Sequence, residues 1–151
     1  MGKERGARKI NILLVEDNPT DSEMTARALK QSIMGSCLYV VHDGEEALDF
    51  LFQRGKYAGG DSAPRPDIML LDLNLPRITG HEVLKIVKQD KKLKLIPVIM
   101  MTTSSRYEDI IESYALGVNT FITKPVNFDD FLAMISMLEN YWIGVARLPG
   151  E

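Results

Sequence analysis

Four short apolar runs in this chain each end on a residue with reactive side-chain chemistry. Ile12-Leu13-Leu14-Val15 hands over to Glu16-Asp17, Ile68-Met69-Leu70-Leu71 to Asp72, Val98-Ile99-Met100-Met101 to Thr102-Thr103, and Thr120-Phe121-Ile122 to Thr123-Lys124. Gathered in a partly dry cleft, Glu16, Asp17 and Asp72 would repel one another unless something neutralised them. A hard divalent cation does this, and magnesium prefers a few carboxylate oxygens completed by water and phosphate oxygens. Asp72 is the nucleophile candidate, since carboxylates form aspartyl phosphates and this one leaves a central apolar run that packing would hold still. Phosphoryl transfer is mostly positioning and electrostatic stabilisation. The cation, Lys124 and the Thr102 hydroxyl would supply the positive charge and hydrogen bonds. Pro125 restricts Lys124 to extended backbone and aims it as a strand ends. Taken singly, each acid could instead be a solvated turn residue and Lys124 a surface lysine; their joint placement at run ends decides between the readings.

The elements that must do this positioning are legible in outline. Apolar runs so short, each followed by a helix-like segment, read as buried parallel strands. Parallel strands put their carboxyl ends along one sheet edge, where open α/β folds bind ligands. Helix starts are marked by a Ser, Thr, Asp or Asn followed three residues later by an acid, at Thr20 to Glu23, Asp43 to Glu46, Thr79 to Glu82, Ser105 to Glu108 and Asn127 to Asp130. The expected strands are 10–15, 38–42, 67–71, 97–101 and 119–122, and the expected helices 20–33, 45–53, 79–90, 105–116 and 127–140. Strict βα alternation implies a parallel sheet covered on both faces. Pro19 suits a first helical turn, where a missing N–H costs little. Between 53 and 66, Gly55, Gly59, Gly60, Pro64 and Pro66 predict a long exposed loop, either functional or a tolerated insertion.

Composition bounds the remainder. A chain of 151 residues with 45% hydrophobic content is one ordinary domain with one core. Its 18 basic against 21 acidic residues, a net charge of −3, provide no general attraction to nucleic acid or an anionic membrane. The basic start, Lys3, Arg5, Arg8 and Lys9, is broken by Glu4 and reads as a solvated tail. A single Cys37 rules out an internal disulfide framework and suits a reducing compartment. No apolar stretch approaches a membrane span, and the N-terminus lacks the apolar core of a secretory signal, so the expected location is cytoplasmic.

The residues together resemble the receiver domain of two-component response regulators. The matching pieces are Val15-Glu16-Asp17-Asn18-Pro19, Leu71-Asp72-Leu73-Asn74-Leu75-Pro76 with Gly80 following, Met101-Thr102, and Phe121-Ile122-Thr123-Lys124-Pro125. The resemblance implies a flavodoxin-like, three-layer (βα)5 fold with a parallel five-stranded sheet in the order 2-1-3-4-5. It divides the chain into a flexible tail at 1–8, a receiver domain at 9–140 and a C-terminal extension at 141–151. It implies phosphorylation of Asp72 by a sensor histidine kinase, with Mg2+ held by Glu16, Asp17, Asp72 and the Asn74 backbone carbonyl. Lys124 then resembles the phosphate-binding lysine, Thr102 the switch hydroxyl and Phe121 the aromatic that changes rotamer. A cis Lys124-Pro125 peptide is part of the same expectation.

Departures from the family pattern carry their own expectations. The acid pair is Glu-Asp, in which the longer Glu16 acts on the metal through water. Thr103 stands where a smaller residue is usual and narrows access to the phosphoryl group, while Asn74 and Ser104 lie where the family tunes attack by water. Residues 139–151 hold no effector domain, so output is expected through protein contact. Tyr141, Trp142 and Ile143 would either cover the domain's own core or form a dimer seam. The 53–66 insertion and aromatic tail resemble the stand-alone regulators of bacterial phytochrome kinases, which dimerise through their last helices. A motor-binding chemotaxis regulator is the alternative within signalling. A flavodoxin-like electron carrier would want a hydroxyl- and glycine-rich loop where Glu16-Asp17 stand, and an aspartyl-phosphate phosphatase a second acid where Asn74 stands.

Overall fold

The computed structural model describes residues 9–30 and 36–149. Five strands alternate with five helices: β1 (Ile10–Val15), α1 (Pro19–Lys30), β2 (Ser36–Val41), α2 (Gly44–Phe52), β3 (Ile68–Leu71), α3 (Gly80–Gln89), β4 (Val98–Thr102), α4 (Tyr107–Ala115), β5 (Thr120–Thr123) and α5 (Phe128–Trp142). All strand pairs are parallel and the sheet order is β2-β1-β3-β4-β5, the expected flavodoxin-like arrangement. Residues 1–8, with most of the basic start, and the end expected for the first helix lie outside the described residues.

Alternation along each strand divides the core in two, because successive side chains point to opposite faces. Leu13, Val15, Met69, Leu71, Val98 and Met100 pack with Leu48, Val83 and Leu84 of α2 and α3. Ile12, Leu14, Ile68, Leu70, Ile99 and Met101 pack with Ala28 and Leu29 of α1 and Phe131 and Ile135 of α5. Both faces of the central strands are thus covered, which is why β1, β3 and β4 read as unbroken apolar runs. Ile143 and Leu148, beyond α5, are buried in the second cluster, and Trp142 packs against it. Tyr141 meets Trp142 edge-on at 5.3 Å but is itself exposed.

Three of the five expected helix caps form. Asp43 accepts from Glu46 N at 2.7 Å, Asn127 from Asp130 N at 2.8 Å, and Thr79 and Glu82 make a reciprocal capping box. Thr20 does not cap α1. Pro19 is already the first helical residue, so the cap falls on Asn18, whose Oδ1 accepts from Thr20 N at 2.9 Å and Asp21 N at 3.1 Å. Nor does Ser105 cap α4, which starts at Tyr107. Arg106 at the cap position makes no side-chain cap bond, and Ser104 ahead of it accepts from Arg106 N at 3.3 Å and donates to Asp109 Oδ2 at 2.6 Å.

The 53–66 segment is more ordered than its composition predicts. Gln53, Gly55, Gly59 and Gly60 adopt positive φ, and residues 55–57 form a short 3-10 turn. Tyr57 stacks edge-on against Phe50 at 5.1 Å and donates to Glu46 at 2.7 Å, while Gln53 donates to the carbonyl of buried Ala63 at 3.0 Å. Side-chain anchors thereby replace regular backbone pairing. No helix among the described residues is long and apolar enough to cross a membrane.

Candidate functional site

Strand register assembles the site. Val15 pairs with Leu71, so Glu16 and Asp72 emerge side by side from adjacent strands. Leu71 pairs with Met100 and Thr102 with Thr123, which brings Thr102 and Lys124 to the same carboxyl-terminal edge. Backbone bonds continue the ladder one residue further: Glu16 N to Val41 O at 3.0 Å, Asp72 N to Val15 O at 3.1 Å and Lys124 N to Thr102 O at 2.7 Å. The side chains are therefore fixed by the sheet and not by mobile loops.

Glu16, Asp17 and Asp72 each present a carboxylate oxygen within 4.8 Å of the others. Glu16 and Asp72 are buried, at 2% and 7% exposure, and Asp17 faces solvent. The Lys124 ammonium lies among them. It donates to Glu16 Oε1 in a close ion pair, to Asp72 Oδ2 at 3.1 Å and to Asp21 Oδ2 at 2.9 Å. Asp21 is an acid that the run-end pattern does not single out; its signal is its place in the first turn of α1, four residues after Asp17.

Burial pushes the Glu16 carboxyl up from 4.5 to about 7, the nearby Asp72 charge adding to the rise and the bond from Lys124 only partly opposing it. For Lys124 burial alone would favour the neutral amine, but Glu16, Asp72 and Asp21 outweigh it and hold the ammonium above its ordinary value. The lysine is a cation throughout the physiological range, and this crowded group of acids calls for more positive charge than one ammonium brings. Carboxylate oxygens within 4.8 Å of one another, on buried Glu16 and Asp72 and on exposed Asp17, fit a hard divalent ion that keeps part of its water.

Thr102 is fully buried at the end of β4, and its hydroxyl oxygen lies 3.3 Å from Asn74 Nδ2 and 3.4 Å from Ser104 N. With its oxygen engaged as acceptor, the hydroxyl hydrogen is what remains to offer an oxyanion. Asn74 also donates its backbone N–H to Asp72 Oδ1 at 3.1 Å. Phe121 lies on β5, half-buried against the core cluster, with its N–H directed to the Tyr114 hydroxyl at 3.2 Å. The Lys124-Pro125 peptide is trans, contrary to expectation; the described chain contains no cis peptide. Lys124 reaches the acids from this extended trans backbone, with its own N–H tied to Thr102 O.

A family model described as the response regulator receiver domain matches residues 12–136. The chain belongs to the response regulator receiver family. Among relatives of this receiver is the response regulator Rcp1 of Synechocystis sp., 42% identical over 149 residues and matched over 99% of each chain. Its fold is similar to that of the phosphorylated cyanobacterial phytochrome response regulator RcpA, with a TM-score of 0.89 at 42% identity, covering 94% of this chain and 99% of the other. A Mn(2+)-bound form of Rcp1 is similar with a TM-score of 0.86 at 43% identity, covering 93% and 99%. This receiver is thus related to phytochrome response regulators, and receivers are signalling proteins rather than conventional enzymes.

Proposed function

We propose that this receiver takes a phosphoryl group onto Asp72 from a sensor histidine kinase of the phytochrome-linked kind and reports it by changing its contacts with other proteins. The observation that carries the reading is the meeting of Lys124 with both Glu16 and Asp72 at one buried edge. In the transfer an Asp72 carboxylate oxygen forms the new O–P bond as the N–P bond to the donor histidine breaks, and the histidine nitrogen keeps the electron pair. Lys124 and the Thr102 hydroxyl receive the phosphoryl oxygens, and the Asn74 N–H holds the other carboxylate oxygen of Asp72 in place. Glu16, Asp17, Asp72 and the Asn74 backbone carbonyl are the groups to hold Mg2+. A cation held there would supply positive charge against that developing on the transferred group. The similarity to a Mn(2+)-bound relative supports a divalent cation at this site.

Output on this reading follows from Thr102. Drawn toward the phosphoryl group, it leaves its bonds with Asn74 and Ser104, and the vacated space admits Phe121. The surface that moves is α4-β5-α5, which exposes Tyr107, Ile111, Tyr114, Met137 and Tyr141, an apolar set suited to a second copy of the chain. The protein would work in the cytoplasm through protein contact, binding neither nucleic acid nor membrane. Relatedness to phytochrome response regulators favours this over a motor-binding chemotaxis role.

Incubation with Mg2+ and acetyl phosphate, followed by intact mass and sizing, tests the reading. One added phosphoryl group, prevented by a chelator and absent from Asp72→Asn, is expected together with a larger oligomer. Equal labelling of wild type and Asp72→Asn would refute it.

A further inference from the structure

Lys124 has a partner that phosphoryl chemistry does not require. Its ammonium carries three hydrogens, and Glu16, Asp72 and Asp21 account for all of them. On the reading above, two of these partners change during the cycle: Glu16 and Asp72 turn toward a cation, and Asp72 loses its charge on becoming an acyl phosphate. Asp21 lies outside the cluster of Glu16, Asp17 and Asp72. It is the carboxylate among the three that stays available to Lys124 throughout.

The mounting of Asp21 is firm. Its N–H is held by Asn18 Oδ1 at 3.1 Å, and its carbonyl accepts from the buried Thr25 hydroxyl at 3.0 Å. A first-turn acid gains from the helix dipole wherever its side chain points. This one is turned inward, 25% exposed, onto an ammonium that is 4% exposed. A pair so far removed from solvent is weakly screened, so both its pull on the ammonium and its repulsion of an incoming phosphate are felt in the site.

We propose that Asp21 is a positioning residue that tethers the Lys124 ammonium on the α1 side and competes with the phosphoryl group for it, slowing the loading of Asp72. The proposal rests on Asp72 as acceptor. Asp21→Asn keeps the shape while removing one negative charge and the ion pair. Its phosphorylation by acetyl phosphate is expected to be about three- to tenfold faster, a gain that added salt changes little because the pair is shielded from solvent. Asp21→Glu, which restores the charge, is expected to return the rate toward wild type.

A second readout needs neither cation nor phosphate. The 1H–15N correlation of the lysine ammonium, identified by its loss in Lys124→Met, is expected as a slowly exchanging signal in wild type and as a shifted, faster-exchanging one in Asp21→Asn. An unchanged signal in Asp21→Asn, or a phosphorylation rate that is unchanged or lower, overturns the proposal. A wild-type protein that takes up no phosphoryl group while Asp21→Asn alters the ammonium signal would refute Asp72 as acceptor and uphold the tether. Normal labelling of wild type with both readouts indifferent to Asp21→Asn would do the reverse.

Discussion

Gly80 and Asp72 approach so closely that a β-carbon on Gly80 would stand 2.2 Å from the Asp72 carbonyl oxygen. It would also meet Leu73 Cα at 2.7 Å, and both neighbours are backbone, which cannot rotate aside. The start of α3 is thereby pressed against the turn that carries Asp72, with Gly80 N bonded to Leu73 O at 2.9 Å. Helix propensity alone predicts that Gly80→Ala stabilises by up to about 1 kcal/mol. Steric overlap predicts a loss of about 3 kcal/mol in urea unfolding, with slower labelling of Asp72. A stabilised variant would show that the contact yields without cost.

His81 ties α3 to α4. Its Nε2 is 2.8 Å from the hydroxyl of fully buried Ser113, and its Nδ1 is 2.9 Å from Glu112. Glu112 is exposed, so most of the coupling resides in the Ser113 bond. The Ser113 hydroxyl also donates to the Asp109 carbonyl at 2.7 Å and His81 keeps Glu112, so neither is stranded by loss of the other, and His81→Ala and Ser113→Ala are each expected to cost about 0.5–1.5 kcal/mol. A double-mutant cycle should return a coupling of roughly 1 kcal/mol. Strict additivity would mean that the helices are held by packing alone.

The raised Glu16 carboxyl sets a pH dependence. Between 4.5 and about 7 the folded protein binds more protons at this group than the unfolded chain, so its contribution to metal-free stability falls as pH rises through that window. A divalent ion needs the carboxylate and must displace the proton. Divalent affinity is therefore expected to climb as pH rises toward about 7 and to level off above it, with proton release in calorimetry below pH 7 and little above. Affinity independent of pH across that window would contradict it.

Thr103 follows the buried hydroxyl of Thr102 and is itself exposed. If it crowds the route of water to the phosphoryl group, Thr103→Ala should shorten the lifetime of phosphorylated Asp72 about two- to tenfold, read as loss of added mass with time. An unchanged lifetime would remove Thr103 from any such role.

Much of this was legible because the sheet is parallel and buried on both sides. Apolar runs then mark strands, and whatever follows them must share one edge, which located Glu16, Asp72, Thr102 and Lys124. Contacts between elements far apart in sequence were not legible. Asp21 meets Lys124 across 103 residues of sequence and His81 meets Ser113 across 32, with no periodicity to announce either pair. Caps failed where the helix start moved: Pro19 shifted the first cap to Asn18, and α4 begins at Tyr107 with Arg106 at its cap position, too late for Ser105 to serve. In the 53–66 segment the glycines were visible, but the anchoring of Tyr57 and Ala63 was not.

The central claim is chemical, that the Asp72 carboxylate itself becomes the acyl phosphate. Borohydride reduces an acyl phosphate to an alcohol and spares free carboxylates, so peptide mapping after labelling with acetyl phosphate and Mg2+ reads the acceptor directly. The expected result is conversion of the residue at position 72 to homoserine, dependent on Mg2+ and confined to that peptide. Conversion at Glu16, Asp17 or Asp21 with Asp72 untouched would contradict the account.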